Sequence, residues 1–225
     1  MLQGEILSIQ VGKPQLMAYS KGEILTGMLK LPVQGELFLS SVNLEGDEQA
    51  DLNFHGGVDK AVCVYSYEHY PYWEKVLNQK LQVGAFGENL TVKGMLESDV
   101  CIGDIFQMGT AVVQVSQPRQ PCHKLAKRYD IPELALQVQE TGYTGFYFRV
   151  LQEGTVRQEK PILLLERDPH GISIQYANHI MHKDRTNLKE AERMLKVEAL
   201  SANWQRTFTK RLTGTESDPK LRLYG

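Results

Sequence analysis

Ser116-Gln117-Pro118-Arg119-Gln120-Pro121-Cys122-His123-Lys124-Leu125-Ala126 is the stretch on which the reading of this chain turns, because a strand-like run (111–116) gives way there to a helix-like one (121–129). Pro121 suits the first helical position, which predicts Cys122 in the first turn, where unpaired N–H groups and the positive end of the helix dipole favour a thiolate. Arg119, His123 and Lys124 add positive charge around the same sulfur. The alternative at this point is a buried structural cysteine, since free cysteines are among the most buried residue types.

Working outward, 225 residues are enough for one large domain, or one domain with a small appendage. The net charge of −2, with Lys and Arg dispersed, gives no basic stripe and argues against nucleic acid as a partner. No run of about 18 apolar residues occurs, and the first twenty residues lack the pattern of a secretion leader, so neither a membrane nor export is expected and the predicted location is cytoplasmic. Cys63, Cys101 and Cys122 are odd in number and widely spaced, which argues against a disulfide framework and against paired-cysteine zinc sites. Cys63, inside Ala61-Val62-Cys63-Val64-Tyr65, and Cys101, between Val100 and Ile102, read as inert core residues.

The predicted fold is mainly β with α: a barrel or folded sheet over residues 1–166, then a three-helix appendage over 172–212 and a loosely ordered tail over 213–225. Strand-like runs fall at 5–11, 36–44, 60–67, 104–108, 111–116, 145–151 and 161–166, separated by Gly, Asn and Asp, with another beginning near Leu90. Helical spacing marks 68–77, 121–129 and 132–140, the last stopped by Gly142. Beyond residue 171 the period changes to that of helices at 172–182, 188–197 and 202–212. Asn187 and Ser201 are placed to cap the last two, and Trp204, Phe208 and Leu212 form a stripe.

Three loops surround Cys122 in the sequence. Asn53-Phe54-His55-Gly56-Gly57-Val58-Asp59-Lys60 puts paired glycines beside His, Asp and Lys, a turn able to bring backbone amides near an anion, yet it lacks the spacing of a P-loop or a dinucleotide fold. Gly84-Ala85-Phe86-Gly87-Glu88-Asn89-Leu90 offers a carboxamide that either meets a polar heterocycle or braces its own turn. Glu140-Thr141-Gly142-Tyr143-Thr144-Gly145 leads into an alternating strand with Phe146 and Phe148 on one face, Tyr147 and Arg149 on the other, where a solvated Arg149 is the default.

In this order the Phe54–Val62 segment, the 84–90 loop, Gly103-Asp104, the 116–122 segment and Gly142-Tyr143-Thr144-Gly145 resemble the MOSC domain, the molybdenum cofactor sulfurase C-terminal module, and most nearly its YiiM-like group. The helical tail is similar to the three-helix extension of that group, so the resemblance runs to about residue 212. It implies a MOSC β-barrel-like fold holding a pterin-based molybdenum cofactor (Mo-molybdopterin), with Cys122 as the metal's protein ligand. Lys60, Arg119 and the amides near His55, Gly56 and Gly57 are then candidate donors to the cofactor's phosphate, and Asp59 or Asn89 candidate partners of pterin N–H groups.

The resemblance further implies an oxidoreductase that converts N-hydroxylated bases or amines to the amine plus water. His55 and His123 are the candidate proton donors, and a separate reductase supplies electrons because no flavin or iron–sulfur signature occurs here. The C-terminal helices are one candidate docking surface for that reductase, and a homodimer a candidate assembly. Two rivals remain: a non-catalytic cofactor carrier or persulfide sulfur-transfer module, and a thiol hydrolase built on Cys122 and a histidine.

Overall fold

The computed structural model describes residues 2–50, 56–216 and 220–224. The order of elements is β1 (Gln3–Val11), β2 (Gln15–Tyr19), β3 (Gly22–Thr26), β4 (Leu31–Val33), β5 (Leu37–Leu39), β6 (Val62–Ser66), α1 (Tyr70–Leu77), β7 (Leu90–Lys93), β8 (Ile105–Met108), β9 (Ala111–Pro118), α2 (His123–Tyr129), α3 (Leu134–Thr141), β10 (Phe146–Gln152), β11 (Gly154–Val156), β12 (Ile162–Glu166), α4 (Ile174–His182), α5 (Leu188–Leu195), α6 (Ala202–Leu212) and α7 (Lys220–Tyr224).

The main sheet runs β12-β8-β9-β10-β6-β7-β1 and closes on itself through β12 and β1, with β4 attached to β1. Closure leaves few exposed strand edges. Among the described residues only β6 and β7 run parallel; a parallel step needs a crossover, and α1 supplies it. Alternation along the strands sets the interior: Val62 and Val64 of β6, Val113 and Val115 of β9, and Phe146 and Phe148 of β10 fill the barrel with Phe106. Each such side chain stabilises the fold by roughly 1.5–3 kcal/mol through burial.

Asn187 and Ser201 cap α5 and α6, accepting from the N–H groups of Glu190 and Trp204. The apolar faces of these helices, including Met194, Trp204 and Phe208, join the same core as the barrel interior. A second apolar cluster, with Tyr65, Trp73, Phe86, Leu125 and Leu134, lies outside the barrel under α1, α2 and α3.

Several details depart from the sequence reading. The run 36–44 pairs only at β5, with a single bridge joining Leu39 to Leu44, because 40–43 form a turn closed by Ser40 and Asn43. The β2–β3 hairpin, β4 and β11 were not anticipated; their sequences lack the strong apolar alternation of the barrel strands, and burial along β2 and β3 is confined to a few positions. Part of the tail read as loosely ordered, 220–224, is the helix α7, docked through buried Leu223 and the Arg222 guanidinium. No helix among the described residues is long and apolar enough to cross a membrane.

Candidate functional site

The period-2 geometry that sends Val62, Val64, Phe146 and Phe148 into the barrel sends Cys63 and Tyr147 out of it. They are direct cross-strand partners, and each bears on the ionisation of the other. Both line a cleft with about 640 Å³ of empty space, which opens to solvent. Its walls come from Met28 and Lys30 after β3, the 47–50 segment, Gly87 and Asn89 before β7, and the β9–α2 connection with Arg119, Cys122 and Lys124.

Arg119 and Cys122 hold their places through backbone pairing. The Arg119 N–H donates to the Gly145 carbonyl at 3.0 Å, which keeps the chain extended past the end of β9. Pro121 is therefore not the first helical residue. Cys122 is the extended N-cap of α2, with φ −132° and ψ 168°, and its carbonyl accepts from Leu125 N–H at 2.9 Å. Its side chain is largely covered, yet forms part of the cleft wall at the positive end of α2.

The Arg119 guanidinium is buried beside it. Nη2 donates to the Phe86 carbonyl, whereas Nη1 has no hydrogen-bond partner among the described residues. Burial works against its charge, but Cys63, Tyr147, Cys122 and Glu88 together hold its pKa above the ordinary arginine value. A buried donor left without a hydrogen bond costs free energy.

Opposite in chemistry is Asp47, also buried in the cleft wall. Its Oδ1 takes the Gly12 N–H at 3.0 Å and pairs with Lys30 Nζ, while Oδ2 has no partner among the described residues. Two cleft residues of opposite charge thus each keep one buried polar atom without a partner among the described residues.

Glu88 shapes the neighbouring loop. Fully buried, it accepts from Gly84 N–H (3.1 Å), Phe86 N–H (3.0 Å), Thr91 Oγ1 (2.9 Å) and the Tyr70 hydroxyl (2.5 Å). This carboxylate fixes the Phe86 carbonyl on which Arg119 rests.

The residues named from sequence divide. Cys122, Arg119, Lys60 and Asn89 line the cleft. Asn89 spends its amide on the fold, its Oδ1 accepting from Cys63 N–H (3.0 Å) and its Nδ2 donating to the Gln10 carbonyl (3.3 Å), so it braces its turn. Asp59 is not part of the cleft lining: Arg149 pairs with its Oδ1 at 2.7 Å and Ala202 N–H donates to its Oδ2 at 2.9 Å. Arg149 is accordingly ion-paired, not simply solvated. Gly56, Gly57 and His123 stand off the lining, with His123 at the first helical position of α2 and Gly57 at φ +94° before a 3₁₀ turn. His55 lies outside the described residues.

Sequence reasoning missed Cys63, Tyr147, Lys30 and Asp47. For the first two the signal was present, since alternation against Val62/Val64 and Phe146/Phe148 already turned them off the core; nothing local marked Lys30 or Asp47. Burial pushes the Cys63 thiol up to about 11, partly offset by Arg119, and likewise raises the Tyr147 hydroxyl far above its usual range.

With this geometry in view, the relationships of the chain are clear. The MOSC domain profile matches residues 51–163, and the YiiM-like 3-alpha helix domain matches 172–215. The chain belongs to the MOSC family. Within that family it is 54% identical to the uncharacterised protein YflK of Bacillus subtilis over 206 residues, covering 92% of this chain and 93% of YflK. The crystal structure of YiiM from Geobacillus stearothermophilus superposes with a TM-score of 0.80 at 42% identity, covering 93% of this chain and 99% of that one. A protein of Gibberella moniliformis named as a reductase is 39% identical over 168 residues; these cover 73% of this MOSC chain but only 30% of the fungal protein. MOSC membership associates the chain with molybdenum-cofactor chemistry.

Proposed function

We propose that this protein binds a molybdenum cofactor and reduces N-hydroxylated bases or amines to the amine and water. The observation that carries the reading is the buried Arg119 Nη1, left without a partner among the described residues in the same cleft as Cys122. The donor set suits such a group. Cys122 offers a soft sulfur at a helix N-terminus, where a thiolate ligand is favoured. Arg119 and Lys60, with Lys124, offer cationic donors for a phosphate. Asp47 Oδ2, in place of the Asp59 read from sequence, offers an acceptor for pterin N–H groups.

When bound, the cofactor supplies the two-electron redox chemistry. Cys122 anchors it, Arg119 offsets its charge, and the cleft orients the N–OH bond. Tyr147 keeps its proton across neutral pH and presents a polar hydroxyl on the cleft floor, the place that His123 does not reach. The balance is one N–O bond broken, two electrons and two protons consumed, and one water released. The electrons come from a separate reductase; the fungal relative's name and greater length agree with a MOSC unit working beside a reductase. We place this reaction in the cytoplasm, where unpaired thiols stay reduced.

A carrier or persulfide-transfer role ranks second. Two thiols do line the cleft, but Cys63, raised to about 11, is poorly set up to accept or pass sulfur at neutral pH. The test is metal analysis of protein from a host that makes the cofactor, together with turnover of an N-hydroxylaminopurine under an artificial reductant. The expected result is stoichiometric molybdenum and turnover, both lost in Cys122→Ser. Wild-type protein without molybdenum, or Cys122→Ser with full turnover, overturns the proposal; bound molybdenum without turnover selects the carrier.

A further inference from the structure

The C-terminal helices touch the cleft walls from behind at three places, and each contact lies beside a cleft residue. At the start of α6, Ser201 N–H donates to the Ser116 carbonyl at 3.0 Å and Ala202 N–H to Asp59 Oδ2 at 2.9 Å. The Ser116 hydroxyl in turn donates to the Asp59 carbonyl, and Asp59 immediately precedes Lys60. A helix start carries N–H groups with no partner inside the helix, so a fixed carboxylate there is held firmly.

On α4, Asn178 Nδ2 donates to Thr144 Oγ1 at 2.8 Å, and that hydroxyl donates to the Gly145 carbonyl at 2.9 Å. The same carbonyl accepts the Arg119 N–H. From α7, Arg222 Nη1 donates to the Pro121 carbonyl and Nη2 to Gln139 Oε1 at 2.6 Å, so one guanidinium ties the residue before Cys122 to α3. Its charge lies near enough to bear on Cys122.

We infer that the C-terminal helices are the positioning element of this cleft, setting Lys60 through Asp59, Arg119 through Asn178 and Thr144, and Cys122 through Arg222. The inference concerns the cleft read above as a cofactor site, and rests on that reading only for its metal readout. It gives the extension a task distinct from docking a reductase: its inner face is committed to the barrel, and its polar reach ends on the residues next to the ligating sulfur. Outer partners of this kind fix the orientation of first ligands, and losing one lowers metal affinity on the order of ten-fold or more.

The full-length chain carries the test, with Asn178→Ala, Asp59→Asn and Arg222→Ala set against Met194→Ala. Met194 is buried in the helical core and its side chain makes none of these hydrogen bonds, so its variant reports lost stability. Arg222→Ala removes one side chain from the short helix α7 and keeps the experiment decisive if a variant in α4 or at Asp59 fails to fold. Two quantities are read beside the unfolding temperature: molybdenum retained per chain from a cofactor-producing host, and the iodoacetamide alkylation rate of Cys122 in protein from a host lacking the cofactor. The expected result is metal retention lowered on the order of ten-fold, with an altered Cys122 rate, in the three linking variants, and wild-type values in Met194→Ala. Rescue in Arg222→Lys should be partial, because an ammonium cannot reproduce the planar two-pronged contact. Wild-type values in the linking variants overturn the inference, as do losses that merely follow unfolding temperature and recur in Met194→Ala. If wild-type protein takes up no molybdenum, the cofactor reading falls, and the alkylation rates alone decide the positioning role.

Discussion

Glu88→Gln is the substitution whose consequence can be worked through most fully. The carboxylate takes three donors on Oε1 (Gly84 N–H, Thr91 Oγ1 and the Tyr70 hydroxyl) and one, Phe86 N–H, on Oε2. A glutamine that keeps the three must turn its NH₂ toward the Phe86 N–H, so one bond is lost and two donors face each other. Losing a hydrogen bond to a charged acceptor costs about 1.5–3 kcal/mol, and nothing shaped like Glu88 remains to recover it. For a chain of this length that lowers Tm by roughly 3–12 °C. Because the Phe86 carbonyl supports Arg119 Nη2, the loosened loop should also weaken the cleft's hold on anions. Urea unfolding of both proteins measures the first effect, and inorganic phosphate protection of Cys122 against iodoacetamide the second. A midpoint that moves by less than about 0.5 kcal/mol, the scale of an ordinary surface change, would refute the assignment of Glu88 as the pin of this loop.

Further outcomes follow from other sites. Gly145→Ala should destabilise strongly, on the order of 3 kcal/mol, because φ is +70° and a Cβ would lie 2.1 Å from the Val64 carbonyl oxygen; a variant with a wild-type unfolding midpoint contradicts this. His182 sits in the fold with its pKa depressed to about 3, by burial first and then by Arg222, Arg211 and Arg185. Below its unfolded value of 6.5 the unfolded chain binds the proton more readily, so stability is lost as pH falls from 6.5 toward 3. The pH dependence of the urea midpoint should therefore flatten in His182→Gln across that window, and an unchanged slope counts against the assignment. Cys63, its thiol raised to about 11 and its side chain covered, should resist iodoacetamide at pH 8 in native protein and react after denaturation, as peptide mass spectrometry can follow. Modification at the rate of a denatured thiol would show that the cleft floor is open.

How far the sequence reached differs from residue to residue. Local patterns settled what local forces govern: alternation placed Phe146 and Phe148 in a barrel, period-four spacing placed Trp204 and Phe208 on a helix, and Asn187 and Ser201 announced the starts of α5 and α6. The motif around Cys122 marked the right family and a sulfur that lines the cleft, since a residue string survives in one dimension.

Its partners were another matter. Asp59 looked like a ligand residue because its loop is glycine-rich, yet Arg149, 90 residues away, and Ala202, 143 residues away, take its carboxylate. Nothing local marked Asp47, yet folding buries it with an oxygen that has no partner among the described residues. Cys122 was placed two positions too far into its helix because the sequence could not show the Gly145 carbonyl that keeps Arg119 extended. Secondary structure and barrel class were thus determined by the chain's own local chemistry. Which charges pair off and which stay available was decided only when the barrel closed and the C-terminal helices settled against it, because electrostatic pairing and burial depend on neighbours in space, not in sequence.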